Sequence, residues 1–344
     1  MRFSVLIVFF VVLVSCSKEV PQVSDVIGWG VEAPVQEDWA QPQSRALVED
    51  DLQLQVACTQ RNGYEPKKIG VFGTSSLEGS VLVEFNDVDL WWWNKEDVNG
   101  WNCSGENRNW RDKAEYVFKA YFPKGEVDLH PSSGAEKLMV VYDAAQEQYD
   151  LLVAHKRIMA REENPVVLLM EHPLAALRFD FTIVETGGED RLLSCWLENC
   201  TQEGLYMSST LNFAMQTVWP QSSPVGAGVK MYWWRPQVPV QMGSSFSAAA
   251  YSSAAADADG ALYAGNGGWI LVVPQQCKGP EHVKFCFTTE RGAGQVYSVG
   301  IPQVEFKPGY RYSYHVKVSK ARPEISLKVT PWNTRKSSYE VDFI

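Results

Sequence analysis

The sequence lacks any apolar run of the ~20 residues that a helix needs to cross a bilayer; its longest, Val5 to Val14, has ten residues. It also lacks an excess of positive charge. Lys plus Arg number 31 against 41 Asp plus Glu, a formal net charge of -10. No basic run with interleaved aromatics occurs, so the chain has no stripe with which to displace counterions from phosphates, and nucleic acid is excluded as a partner. Catalytic signatures are missing too. There is no G-x-S-x-G elbow, no H-E-x-x-H, no phosphate-binding Walker loop and no G-x-G-x-x-G after a strand, so no enzyme is expected. His172 follows Glu171, but such a pair reads as a surface or satisfied core feature. With five His, no C-x-x-C and only His282 near a Cys pair, the spacing that zinc requires is absent. Asp257-Ala258-Asp259-Gly260 lacks the later ligands of a calcium loop and reads as a polar turn. No metal and no cofactor is expected.

What the sequence does contain is folded and rich in β-forming residues. It has 344 residues, enough for two domains at roughly 100–200 residues each. Hydrophobic residues make up 45% and charged residues 21%, which excludes wholesale disorder. Thirteen Trp favour strands over a helical bundle.

Residues 1–15 place one Arg before the apolar run and end on Ser15. That charge–apolar–small order is an export signal. Leu13-Val14-Ser15-Cys16 resembles the bacterial lipobox, in which a peptidase cuts before a lipidated Cys. Each buried acyl methylene contributes about 0.8 kcal/mol, so a multiply acylated Cys16 would tether the chain to a membrane until it was cut. Ser17-Lys18-Glu19 loosely resembles the tract that directs lipoproteins of the Bacteroides group to the cell surface. Six later cysteines remain, at 58, 103, 195, 200, 277 and 286. In an exported chain they permit three disulfides, with Cys195/Cys200 and Cys277/Cys286 spaced as hairpin staples; free buried thiols are the equal alternative.

Along the chain, Ile27, Trp29 and Val31 alternate with Gly28 and Gly30, as on a half-buried strand. Leu52 to Cys58 shows the same period of two and is predicted as a strand. Further strands are predicted at 69–73, 81–85, 116–122, 138–142, 166–170, 177–184, 192–197, 211–218, 269–273, 310–318 and 325–329. The Asn- and Trp-rich stretch 91–110 is predicted as a long loop or irregular hairpin. Residues 243–268, mostly Ala, Ser and Gly, are expected to form a mobile loop, and 171–177 offers the one short helical pattern. The charged, Pro-ended segment 161–165 reads as a domain linker. The expected architecture is all-β, two β-sandwich domains in tandem. Its parts are a signal peptide at 1–15, a segment 16–45, an N-terminal domain at 46–163 and a C-terminal domain at 164–344.

Trp91-Trp92-Trp93, with Trp101 and Trp110, is the most unusual local feature. On a strand, Trp91 and Trp93 face opposite to Trp92. Such rings either cover a sandwich edge or form an exposed platform for a sugar or a partner protein. Tyr232-Trp233-Trp234 invites the same reading at lower weight.

Several segments together resemble the fimbrillin-like proteins of the Bacteroides group, subunits of lipoprotein-derived (type V) pili. The lipobox at Cys16 is followed by an Arg45-Ala46 junction. Tyr121-Phe122-Pro123, Asp150-Leu151-Leu152-Val153-Ala154, His172-Pro173-Leu174-Ala175, Leu271-Val272-Val273-Pro274-Gln275, Pro308-Gly309-Tyr310-Arg311-Tyr312 and Trp332 follow in the family's order. The Trp-rich stretch at 91–110 departs from the family pattern. The resemblance implies two transthyretin-like β-sandwich domains. It implies cleavage after Arg45 by a trypsin-like protease, which removes the lipid together with a plug strand bearing Ile27, Trp29 and Val31. Other pilus subunits would then fill the vacated groove by β-strand addition, a non-closing contact that grows a filament.

Tyr339, Val341 and Phe343 alternate with polar residues, as either a donated strand or the terminal strand of their own domain would. The short stretch beyond Trp332 favours a tip or accessory subunit over a stalk subunit. The implied location is the outer membrane by way of the lipid before processing, then the fimbrium at the cell surface, with a host or bacterial surface protein or glycan as a further partner. The alternative is an uncleaved surface lipoprotein that binds glycans through the Trp cluster.

Overall fold

The computed structural model describes residues 25–34, 50–59, 65–95, 98–105, 107–144, 149–183, 190–213, 225–234, 240–242, 246–247, 270–318 and 323–332. The signal segment, Cys16, Arg45, Ala46, Asp257 to Gly260, Tyr339, Val341 and Phe343 lie outside them.

In chain order the first half forms β1 (Trp29–Glu32), α1 (Asp51–Cys58), β2 (Lys68–Leu77), β3 (Ser80–Lys95), β4 (Val98–Cys103), β5 (Glu115–Lys124), β6 (Asp128–Leu129), β7 (Met139–Asp143), β8 (Leu152–Met159) and β9 (Val166–Leu169). The second half forms β10 (Ala175–Ile183), β11 (Asp190–Asn199), β12 (Ser208–Asn212), β13 (Lys230–Trp234), β14 (Val240–Met242), β15 (Phe246–Ser247), β16 (Ile270–Val272), β17 (Gln275–Cys277), β18 (Val283–Thr289), β19 (Val296–Gly300), β20 (Val304–Phe306), β21 (Tyr310–Val318) and β22 (Glu324–Pro331).

One seven-stranded sheet has the order β8-β5-β2-β3-β4-β1-β9. Two five-stranded sheets are built on β15-β10-β21-β22, with β16 beside β10, and on β13-β11-β18-β19, with β14 beside β11. A three-stranded sheet, β12-β7-β6, joins strands from both halves of the chain. The fold is all-β, with packed sheets around apolar interiors. One interior lies beneath the seven-stranded sheet. The larger one draws Phe72, Tyr121 and Leu138 from the first half together with Leu177, Phe285 and Tyr314 from the second.

Local chemistry explains the pairing. Glu78 and Gly79 both take positive φ, at 50° and 81°, which matches the twist of a two-residue hairpin between β2 and β3. Gly70 on β2 leaves room for a neighbour's ring, since a Cβ there would stand 2.2 Å from Tyr121 Cε1.

Five expectations are corrected. Residues 51–58 form a helix, not a strand. Asp50 caps it by accepting from Gln53 N at 2.7 Å, and Leu54 and Cys58, one turn apart, are its buried residues. The alternation is incidental, because Leu52 and Val56 are exposed. The Trp-rich stretch is a regular hairpin, with β3 and β4 in register from Leu90↔Cys103 to Lys95↔Val98. Aromatic cross-strand pairs outweigh the turn preference of its Asn residues. Residues 171–177 are not helical. Glu171 bridges Val153, and Ala175 to Leu177 pair on one side with β16 and, from Ala176, on the other with β21. Within 243–268, Phe246–Ser247 pair with β10; residues 248–269 lie outside the described set. Segment 161–165 forms the turn between β8 and β9, and both strands belong to the seven-stranded sheet. That sheet therefore continues to Leu169.

Candidate functional site

The strand nearest the N-terminus is held in the sheet by interior parts of the chain. β1 runs parallel to β9, with Trp29 to Glu32 in register with Val166 to Leu169, while on its other side it meets β4 at Trp29↔Trp101. Ahead of the strand, Ile27 N donates to Arg108 O at 2.9 Å and Trp110 N donates to Asp25 O at 2.8 Å. Asn164 extends the ladder with its side chain. Its Oδ1 accepts from Gly28 N at 2.7 Å and its Nδ2 donates to Val26 O at 2.8 Å. Arg161 ties down the start of the segment through Asp25 at 2.7 Å, and it also pairs with Asp112. The hydrogen bond to Asp25 raises the Arg161 pKa above its ordinary value. Past the strand, Ala33 N donates to Asp51 Oδ1 at 2.5 Å.

Ile27 and Val31 are buried. Trp29 sits edge-on to Phe85 and Phe118, with ring centroids 5.2 and 5.3 Å away. Burying such an aliphatic side chain contributes about 1.5–3 kcal/mol, and each aromatic pair adds about 0.5–1.5 kcal/mol. Arg161 and Asn164, which hold this strand, were not singled out as site residues from the sequence. An Asn before a Pro in a charged turn carries no local signal of a partner 136 residues away.

The Trp cluster divides between surface and core. Trp91 and Trp93 share one face of β3 and stack at 5.5 Å, half-buried, with Lys68 Nζ 6.0 Å from the Trp91 ring. Trp92 faces the other way and meets Trp101 edge-on at 5.6 Å. Trp110 does not belong to a recognition surface. It is 5% exposed, its ring packed edge-on against Tyr116 at 4.8 Å. Trp233 and Trp234 lie on β13.

Four residues from separate short motifs converge where the halves of the chain meet. Asp150 precedes β8, His172 lies between β9 and β10, Arg311 is on β21, and Trp332 follows β22. All four are buried. His172 Nδ1 lies 2.9 Å from Asp150 Oδ1, the His172 ring stacks on Trp332 with centroids 3.6 Å apart, and the Arg311 guanidinium lies 5.0 Å from the Trp332 ring. The backbone locks the same point, Gly309 N donating to Leu174 O and Trp332 N to Gly309 O. His172 is thus a buried core residue, held by Asp150 and by the Trp332 ring.

Those motifs carry a family signature, and comparison with known proteins agrees. The sequence pattern of a family described as fimbrillin-like matches residues 59–332. The chain belongs to the fimbrillin-like family. A crystal structure of a Bacteroides ovatus protein described as a candidate for cell adhesion superposes with a TM-score of 0.54 at 14% identity, covering 90% of this chain and 99% of that one. A fimbrial protein from Bacteroides vulgatus gives 0.54 at 13% identity, over 89% and 99%. At such identities the likeness is one of fold. No curated protein matches. The fimbrillin-like family is one of structural proteins of fimbriae, not of enzymes.

The fimbrillin-like chain keeps its six described cysteines as free thiols, so the two hairpin staples do not form. Cys195, Cys277 and Cys286 are buried on their own strands, and Cys200 is exposed. Burial pushes the Cys58, Cys103 and Cys286 thiols up to about 12. Among the described residues, no group of three or more His, Cys, Asp or Glu could hold a metal ion.

Proposed function

We propose that this chain is a structural and adhesive subunit of a cell-surface fimbria. It is exported as a lipoprotein through Cys16 and anchored in the outer membrane until cleavage between Arg45 and Ala46 frees residues 16–45. The observation that carries this reading is the placement of β1. A four-residue strand fills a slot between β4 and the edge strand β9, and in the sequence Arg45 follows it, ahead of every other strand of that sheet. Removing β1 uncovers backbone donors and acceptors on β9 and an apolar seat lined by Phe85 and Phe118, which a strand from a neighbouring subunit completes.

The test is N-terminal sequencing with intact mass on protein recovered from its native cell surface. A chain beginning at Ala46 supports processing. An acylated Cys16 refutes it and favours the second reading, an uncleaved lipoprotein binding glycans. The observation behind that second reading is the stacked, half-exposed Trp91–Trp93 pair.

A further inference from the structure

If β1 vacates its place, the walls of that place define what can follow it. The face towards the core holds Ile27, Trp29 and Val31, aliphatic, aromatic and aliphatic, with the middle ring fitted between Phe85 and Phe118. The opposite face is equally constrained. A Cβ built on Gly28 would lie 3.1 Å from Asn164 Oδ1 and 3.4 Å from Pro165 Cβ. One built on Gly30 would lie 3.1 Å from Val167 Cγ2 and 3.6 Å from Val167 Cα. Favourable carbon contacts begin at about 3.5 Å, so even a methyl group must displace its neighbour by a few tenths of an ångström. Asn164 is poorly placed to yield, because its amide holds Gly28 N and Val26 O at the same time. The two glycines are therefore part of the fit, and a longer side chain adds atoms to a contact already tight at Cβ.

We propose that the place of β1 selects its occupant on both faces. It takes aliphatic, aromatic and aliphatic side chains at the positions of Ile27, Trp29 and Val31, with glycine or alanine at those of Gly28 and Gly30. The proposal rests on the reading that β1 leaves. It identifies the partner as an extended segment of a different subunit, since residues 338–343 of this chain do not satisfy the pattern. Seating Tyr339 at the Trp29 position puts Ser338 and Glu340 at the two glycine positions; seating Phe343 there puts Asp342 and Ile344. In either chain direction an acidic side chain lands at a glycine position where a Cβ is already within 3.1 Å of a neighbour. The groove thereby rejects a second copy of this chain by that segment, a specificity achieved by exclusion as much as by fit.

The test uses the full chain with a site-specific protease sequence in place of residues 40–44, cut so that the β1 fragment stays bound. Labelled peptides are then offered in excess: residues 23–34, the same peptide with G28A and G30A, the same with G28E and G30E, and residues 333–344. Exchange is followed by fluorescence anisotropy and native mass spectrometry, with circular dichroism confirming that the sheet persists. The first two peptides should displace the resident fragment, while the other two bind at least about tenfold more weakly, a difference of about 1.4 kcal/mol. Equal binding by residues 333–344 overturns the selection rule and leaves strand replacement standing. If even the 23–34 peptide never exchanges with the resident fragment, both the rule and strand replacement fall.

Discussion

Replacing Trp332 by Ala tests whether the four-residue junction joins the two halves of the molecule. Trp332 is 2% exposed, stacked on His172 and covering Arg311, itself 1% exposed. Removing a buried Trp side chain costs about 3–5 kcal/mol, because both the transfer free energy and the cavity count against the variant. Loss of the aromatic face also leaves the buried guanidinium beside a void. Of the total, about 0.5–1.5 kcal/mol belongs to the ring–ring contact, and a double-mutant cycle with His172→Ala isolates it. Guanidinium unfolding, followed by circular dichroism, should show a lower midpoint with little change in slope. Trp332→Phe, which keeps a ring in place, should recover part of the loss. A Trp332→Ala loss below about 1 kcal/mol would contradict the cavity argument. A coupling indistinguishable from zero would show that the stack contributes nothing.

Three further outcomes are expected. Asp89 binds Lys124 at 2.7 Å and Lys68 at 3.1 Å. Burial pushes its pKa up, but the hydrogen bonds from Lys124 and Lys68 outweigh that and hold it below the ordinary value. A carboxylate depressed on folding contributes stability above its unfolded pKa of about 3.9 and loses it as pH falls through the folded value. Denaturation midpoints of wild type and Asp89→Asn should thus differ at pH 6 and converge as the solution is acidified below about pH 4; a gap unchanged at low pH would refute this. Gly70→Ala forces a methyl group into the Tyr121 ring and should destabilise by about 1–3 kcal/mol, read from the same unfolding curves, with a neutral result showing that the ring can swing away. Iodoacetamide on the native protein should label exposed Cys200 first among the six described cysteines, since burial of the others suppresses the thiolate. Peptide mapping that finds Cys195 or Cys58 labelled as fast would count against the packing described.

The sequence by itself determined the β-rich class, most strand positions and the family. Alternating residues such as Tyr312, Tyr314 and Val316 carry their burial pattern locally, and the stretches 310–318 and 325–329 both emerged as parts of adjacent strands, β21 and β22. The motif order around Asp150, His172, Arg311 and Trp332 was visible too, though not that these residues touch. Alternation failed at 51–58, where the same spacing also places Leu54 and Cys58 on one face of a capped helix. A period of two and a one-turn stripe cannot be separated over eight residues. Only the tertiary structure decided that 161–165 is a turn within one sheet, that Asn164 completes the ladder of a strand 136 residues earlier, and that Gly28 and Gly30 abut neighbouring side chains. These are contacts between segments far apart in the chain, and their geometry depends on how whole sheets stack, which no local pattern of residues encodes.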